Sequence, residues 1–290
     1  VAPGFAINTG DPNNPVVIDF DGNERIGVQV EYAAVNVANF VQLYGSFAFE
    51  MGPTYDVDVN IGASADFGLP TSVPGVEMSS IMFGGSNVRA FAGINGPYFE
   101  DTDGDGQITD FDGTNDEAFG FAIDDLNFGM ALLKPTVFVG PLEEFAPSFY
   151  SLKANASSIG FVGGGEIFQL EANDIEVEVN SSSVTIPFTM SANLADSFPA
   201  STDADGNPVP AGLKVPTGND AEPIYLDSEG YLLRFATEKA TLRVADFIFL
   251  TGSFAFVKGP THELTINTGL GPTIEGVEGE FMTIGASNVY

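Results

Sequence analysis

The sequence predicts an all-β chain, built as a tandem-repeat array of long, mainly antiparallel strands. Three observations lead there. Apolar and polar residues alternate with period two, glycine and proline punctuate the alternating runs, and one long block of sequence occurs twice.

The alternation is clearest in Asp56-Val57-Asp58-Val59-Asn60-Ile61 and in Ile175-Glu176-Val177-Glu178-Val179. Successive side chains of a strand point to opposite faces, so these runs place aliphatics on one face and polar groups on the other. Leu232 to Val244 and Phe247 to Val257 are longer candidates, rich in Phe, Leu, Ile, Thr and Val. Between such runs sit most of the 34 glycines and 18 prolines, the residues that turns require. Asp124 to Leu133 has some apolar spacing suited to a helix. Phe119 to Ala122 and Phe128 to Ala131 also suit strands, and strand is the expectation there. The strands can pack as an extended meander, as a sandwich in each unit, or as a parallel β-solenoid. Runs of about ten residues with hairpin-like links favour the antiparallel meander. No period of about 20 to 30 residues is visible, which counts against a simple β-helix.

The duplication sets the domain organisation. Val37-Ala38-Asn39-Phe40, Gly45-Ser46-Phe47-Ala48-Phe49 and Gly52-Pro53-Thr54 return as Val244-Ala245-Asp246-Phe247, Gly252-Ser253-Phe254-Ala255-Phe256 and Gly259-Pro260-Thr261, 207 residues later. Upstream, Thr9-Gly10 and Pro15 match Thr217-Gly218 and Pro223 at an offset of 208. Downstream, Ser86-Asn87-Val88 matches Ser287-Asn288-Val289 at an offset of 201, through a shorter intervening loop. Residues 1–208 are therefore expected to form one full repeat unit of about 207–208 residues. Residues 209–290 are the first part of the next unit, equivalent to 1–82. The expected parent is a long tandem array, with this chain a processed or internal stretch of it.

Composition narrows the function classes. Forty acidic residues against nine basic ones give a formal charge of −31. Such a surface repels phosphate backbones and anionic membranes, attracts divalent cations, and stays soluble in salt. No cysteine is present, which removes thiolate metal sites, thiol catalysis and disulfides. No apolar run reaches the length of about 18 to 20 residues that crosses a bilayer as a helix, so no membrane insertion is expected.

One motif carries sharp chemistry. Residues 101–112 read Asp101-Thr102-Asp103-Gly104-Asp105-Gly106-Gln107-Ile108-Thr109-Asp110-Phe111-Asp112. Counting from Asp101, carboxylates stand at positions 1, 3, 5 and 12, and glycine at the sharp turn of position 6. Gln107 at position 7 would offer its backbone carbonyl, and Thr109 at position 9 would ligate directly or through water. That is the pattern of an EF-hand-type calcium loop, in which a hard cation takes about six to eight oxygens. The expected ligands of Ca2+ are Asp101, Asp103, Asp105, Gln107, Thr109 and Asp112. Asp stands last where Glu is commoner, and its shorter reach weakens bidentate coordination. No flanking helix pair is evident, so the loop is expected between strands. Asp19, Asp21 and Glu24 around Gly22, and Asp203 and Asp205 before Gly206, read as ordinary acidic turns.

Catalysis finds little footing. The only histidine, His262, has Tyr55 as its counterpart one period earlier, which argues against a general base needed in each unit. Paired carboxylates such as Asp124-Asp125 and Glu143-Glu144 are expected by number alone in so acidic a chain. The chain is therefore read as a non-enzyme. Glycan binding is the better rival, although no tryptophan is present to stack on sugar rings. The 26 phenylalanines, Phe47, Phe49, Phe254 and Phe256 among them, read as core. Asn155-Ala156-Ser157 and Asn180-Ser181-Ser182 have the form of glycosylation sites.

The blocks Gly252-Ser253-Phe254-Ala255-Phe256, Phe128 to Pro135 and Leu170 to Asn180 resemble recurring elements of giant secreted bacterial repeat proteins of the LEPR-XLL-domain type. The resemblance spans most of the chain through short apolar motifs. It implies an extracellular or cell-surface bacterial array and supplies no catalytic residues. The expected function is a structural repeat that forms or extends a calcium-stabilised fibre or matrix. Its partners would be copies of itself or adjacent repeats of the same polypeptide. The alternative is a calcium-dependent adhesin module that holds a surface glycan or a partner protein.

Overall fold

A computed structural model describes residues 4–8, 10, 15–18, 22, 24–62, 70–137, 147–184, 189–269 and 271–290. The first strands are β1 (Phe5–Ile7), β2 (Val16–Ile18), β3 (Ile26–Val37), β4 (Val41–Ile61) and β5 (Ser72–Ile94). There follow β6 (Phe99–Glu100), β7 (Gly113–Thr114), β8 (Phe119–Pro135), β9 (Phe149–Val162) and β10 (Phe168–Ser182). After β11 (Met190–Asn193) comes one short helix, α1 (Leu194–Ser197), capped by the Asn193 side chain. The remainder is β12 (Ser201–Thr202), β13 (Pro208–Val209), β14 (Leu213–Val215), β15 (Ile224–Leu226), β16 (Leu232–Val244), β17 (Ile248–Ile266) and β18 (Ile274–Ser287). The region with helix-like spacing is strand, within β8.

Ten strands form one sheet in the order β11-β4-β5-β8-β9-β10-β16-β17-β18, with β3 beside β11 on the same edge of β4. Its ladders are all antiparallel. Apart from β11, the sheet follows chain order, so the architecture is a meander. β5 has 23 residues, which at about 3.3 Å each makes a strand of about 75 Å.

Period-two patterning assigns the faces. In β5, Val76, Met78, Ser80 and Met82 are buried while Glu77, Ser79, Ile81 and Phe83 between them are exposed. The buried face is roofed by residues 194–231, which follow β11 and lie over the sheet. Leu194, Leu213, Val215 and Leu226 from this roof pack on Val57, Val59, Met78, Met82, Leu133 and Phe149 in the main core. A glycine pair permits the close approach. A Cβ on Gly84 would lie 2.2 Å from the Pro216 carbonyl oxygen, and one on Gly129, directly opposite it, would lie 2.8 Å from the Ile224 side chain. A second cluster, Phe91, Phe99, Ile108, Ala118 and Ala122, fixes the excursion between β5 and β8 to the same face.

The opposite face is bare and apolar. Directly opposed residues run Val28, Phe49, Phe83, Met130, Leu152, Val179 and Leu233 across seven neighbouring strands. Phe49 is 40% exposed, and Phe47, Phe254 and Phe256 are half-buried. Those phenylalanines therefore lie on the unroofed face, contrary to their reading as core. Hydrophobic patterning marks a face; only a covering layer makes it core.

The two sequence blocks carry matching local geometry. Ala38 and Ala245 both have positive φ, as do Asn87 and Asn288 and also Gly75 and Gly276. A Cβ on Gly45 would meet Val88, and one on Gly252 would meet Val289. Gly52 lies against the Glu24 carbonyl and Gly259 against the Tyr231 carbonyl. The small hairpins match as well. β1 pairs Phe5, Ala6 and Ile7 with Ile18, Val17 and Val16, and β14 pairs Leu213, Lys214 and Val215 with Leu226, Tyr225 and Ile224. Each of these residues lies 208 positions from its counterpart.

Candidate metal-binding loop

The acidic loop is closed at its base by the short β6-β7 ladder, which pairs Glu100 with Gly113 and Phe99 with Thr114. Ile108 alone of the twelve residues 101–112 is buried, in the cluster with Phe91 and Phe99. Its N–H donates to the Tyr32 hydroxyl at 2.9 Å, and its carbonyl accepts from Arg89 Nη1 at 2.9 Å. The loop is thus pinned at its midpoint to β3 and β5.

Three of the six expected ligands come together. Carboxylate oxygens of Asp101, Asp103 and Asp105 lie within 4.8 Å of one another, all on exposed residues. The turn that gathers them is held by backbone N–H groups. Gly104 and Gly106 donate to Asp101, Asp105 to Asp103, and Gln107 to Asp105. Gly104 and Gly106 adopt φ of +79° and +85°, a region costly for residues with a Cβ, so the position-6 glycine serves its expected purpose.

Asp112 stands apart from that trio. Its Oδ1 accepts from the Thr102 N–H and its Oδ2 from the Thr109 N–H, both at 2.8 Å. These backbone donors favour the charged form and hold its carboxyl below the ordinary value of 3.8. The Thr109 hydroxyl also donates to Asp112, at 3.2 Å. Thr109 and Asp112 therefore tie the loop's two ends, and Gln107 is exposed. The donor set fits a hard divalent cation at the Asp101–Asp103–Asp105 end, where three anionic oxygens converge and, among the described residues, none of the three is ion-paired to Lys or Arg.

Arg89 is the residue that sequence reasoning missed. It is 7% exposed in β5, ion-paired to Asp110 and, through Nε at 2.7 Å, to Asp124. The available signal was one of nine basic residues placed mid-strand in an acidic chain. Tyr32, near Asp101, Asp105 and Asp112, is the second missed residue. Burial first, and then those carboxylates, push its hydroxyl pKa upward. An open cleft of about 880 Å³ lies beside the loop, lined by Tyr32, Arg89, Gln107, Phe111 and Asn219 among others.

The remaining sequence candidates separate. The Asp203 turn links β12 and β13, with Asp203 accepting from the N–H groups of Asp205 and Asn207. Asn180 is fully buried, its Nδ2 donating to the Ala192 and Gly230 carbonyls, so in the folded chain it cannot carry a glycan; Asn155 is exposed. His262 lies in β17 opposite Gly279, with its side chain outside the described residues. Asp19, Asp21 and the Glu143-Glu144 pair also fall outside them. Among the described residues no helix is long and apolar enough to cross a membrane. In comparisons with known proteins, the chain matches no family model, no curated protein and no solved structure.

Proposed function

We propose that the chain is a structural repeat of an extracellular bacterial protein, one that lengthens a fibre or matrix by extending a single β-sheet. The observation that carries this reading is the junction between β10, late in the first unit, and β16, the counterpart of β3 in the next. They pair over twelve residues, from Phe168 opposite Val244 to Asn180 opposite Leu232. The sheet passes through the repeat boundary without interruption, so each added unit would contribute β3, β4, β5, β8, β9 and β10 in turn. Ca2+ at Asp101, Asp103 and Asp105 would offset two of three clustered negative charges and stiffen the excursion that roofs one end of β5 and β8. The repeat resemblance is what supports a cell-surface location. Electron microscopy of the parent array, with Ca2+ and after chelation by EGTA, tests it. Ordered fibres that loosen on chelation are expected; particles unchanged by EGTA would remove calcium from the account.

A second reading, a calcium-dependent adhesin, draws support from the cleft beside the loop, where Phe111 is 89% exposed. Retention on immobilised glycans that is lost with EGTA would favour it.

A further inference from the structure

The face of the sheet turned away from the roof is uncharged through its interior. β4, β5, β8, β9 and β10 each have a neighbouring strand on both sides. Five complete rows of directly opposed residues cross these strands on that face, from the row of Ile81 and Leu132 to the row of Ala92 and Phe121. None of these residues is Asp, Glu, Lys or Arg, in a chain with forty acids, and only Tyr150 and Ser181 carry a polar side-chain atom. Ile81, Phe83, Phe121 and Leu132 are 40%, 37%, 51% and 43% exposed. Glu178, between Val177 and Val179, turns the other way, toward the roof, where Lys153 links it to Asp227. Acids return only past the outermost row, where Asp56 stands opposite Glu77 and both are exposed. The pattern is an apolar centre with a charged rim, as in a protein–protein interface.

The bareness belongs to the middle of the sheet. Residues 24–231 span one whole period. Among its described residues, the two excursions that leave the sheet, 95–118 and 194–231, pack on the opposite face. A neighbouring repeat has the same order of elements and so brings the same layers, with none for this face. The face itself recurs: Phe47, Phe49 and Phe83 have Phe254, Phe256 and Ile284 as counterparts.

From this we infer that the open face of β4, β5, β8, β9 and β10 is a lateral pairing surface, and that its occupant is the same face of a second copy. The five rows cover about 24 Å by about 38 Å, or about 900 Å² on each copy, against about 800 Å² per partner in a stable interface. Two such sheets pack face to face about 10 Å apart with side chains interdigitating. A lone copy exposes this surface to water, whereas pairing makes it the core of a sandwich. The lack of Lys and Arg on the face and the net charge of −31 disfavour an anionic lipid surface. A second copy also has the same repeat period, so in an array each repeat meets a repeat and weak contacts add. The contact is isologous, and in the single chain it closes at two copies. The inference deepens the structural-repeat reading by giving the fibre a second layer.

Sedimentation velocity of the full chain over a wide concentration range tests the surface. The wild type is expected to pass from its 30.5 kDa monomer to a species of twice that mass. Added salt should favour the pair, because the acids of both copies stay outside it and their repulsion is screened. Ile81→Glu combined with Leu132→Glu changes two exposed side chains and is expected to leave only monomer, with an unchanged circular dichroism spectrum. Peroxide oxidation of Met51, in the same row and 42% exposed, needs no variant: read by mass spectrometry, it should slow as the pair forms. A wild type that stays monomeric at every concentration and salt overturns the surface. So does a double variant that pairs like the wild type, or a Met51 oxidised equally fast in both states, either of which places the contact on strand edges or chain ends. A monomer that floats with neutral phosphatidylcholine vesicles overturns self-pairing and assigns the face to lipid. Each of these outcomes leaves the repeat reading standing, because the sheet across β10 and β16 is covalently tethered and needs no association.

Discussion

The strands β3–β5 and β16–β18 share sequence, register and turn geometry, yet one set is core and the other is surface. Val59 is fully buried and its counterpart Ile266 is 42% exposed; Val88 is 1% exposed and Val289 is 46%. Ala48 is buried and Ala255 is exposed. Nothing intrinsic to the strands accounts for this. The difference lies in the neighbours: the segment that follows β11 packs on Val59 and its cluster, and β8 lies beside Val88 with Leu126 opposite it, whereas among the described residues neither a roof nor a further strand lies against β18. Burial in this molecule is conferred by a neighbouring layer, and equivalent positions should respond differently to the same substitution.

The largest effect is expected from placing a charge under the roof. Val59→Asp should lower stability by about 4 kcal/mol, because an unpaired carboxylate would be held in the core. Ile266→Asp at the equivalent site should cost at most about 0.5 kcal/mol, as exposed substitutions usually do. Urea unfolding midpoints compare the two, and equal losses would break the comparison.

A smaller contrast concerns the glycines. Gly84→Val drives its Cβ into the Pro216 carbonyl and should cost about 2 to 3 kcal/mol by overpacking. Gly285→Val should be neutral in the monomer. Thermal unfolding resolves a difference of that size.

Arg89 lies beneath the acidic loop, and Arg89→Met removes its contacts to the Ile108 carbonyl, Asp110 and Asp124. Both carboxylates are open to water and can rehydrate, so the expected loss is about 1 to 2 kcal/mol. Faster proteolysis within residues 101–112 would report the freed loop.

The smallest effect is on pH response. Asp112 has its carboxyl held below 3.8 in the folded chain by the Thr102 and Thr109 amides. Its contribution is therefore complete above about pH 4 and is lost as pH falls through the lower folded value. Amide exchange at Thr102 and Thr109 should quicken only below that point, and Asp112→Asn should remove the dependence.

Much of the sheet was legible from residue pattern. The alternation from Asp56 to Ile61 places Val57, Val59 and Ile61 on the buried face, and Ile175 to Val179 forms part of β10. The apolar stretch from Phe119 to Leu133 fits strand or helix by spacing, and its pairing with β5 and β9 decides the matter. Face identity was not legible for the phenylalanines, since Phe47 and Phe49 owe their exposure to the absence of a second layer. The loop's turn glycines and acidic trio were readable from spacing. The use of Asp112 was not: whether a carboxylate aims inward at a cation or back at Thr102 and Thr109 depends on the fold that brings residues 102 and 112 together. Arg89 and Tyr32 come from β5 and β3, outside any local motif.

The central claim is that the sheet runs unbroken from one repeat to the next. Small-angle X-ray scattering of chains carrying two, three and four of the 207-residue repeats tests it most directly. With six sheet strands per repeat and about 4.8 Å between strands, the sheet should widen by about 29 Å for each repeat added, so the maximum dimension, a diagonal across strands of about 75 Å, should grow by about 20 to 25 Å. Growth of about 75 Å per repeat, the length of one long strand, would mean units joined end to end along their strands, and would contradict the continuous sheet.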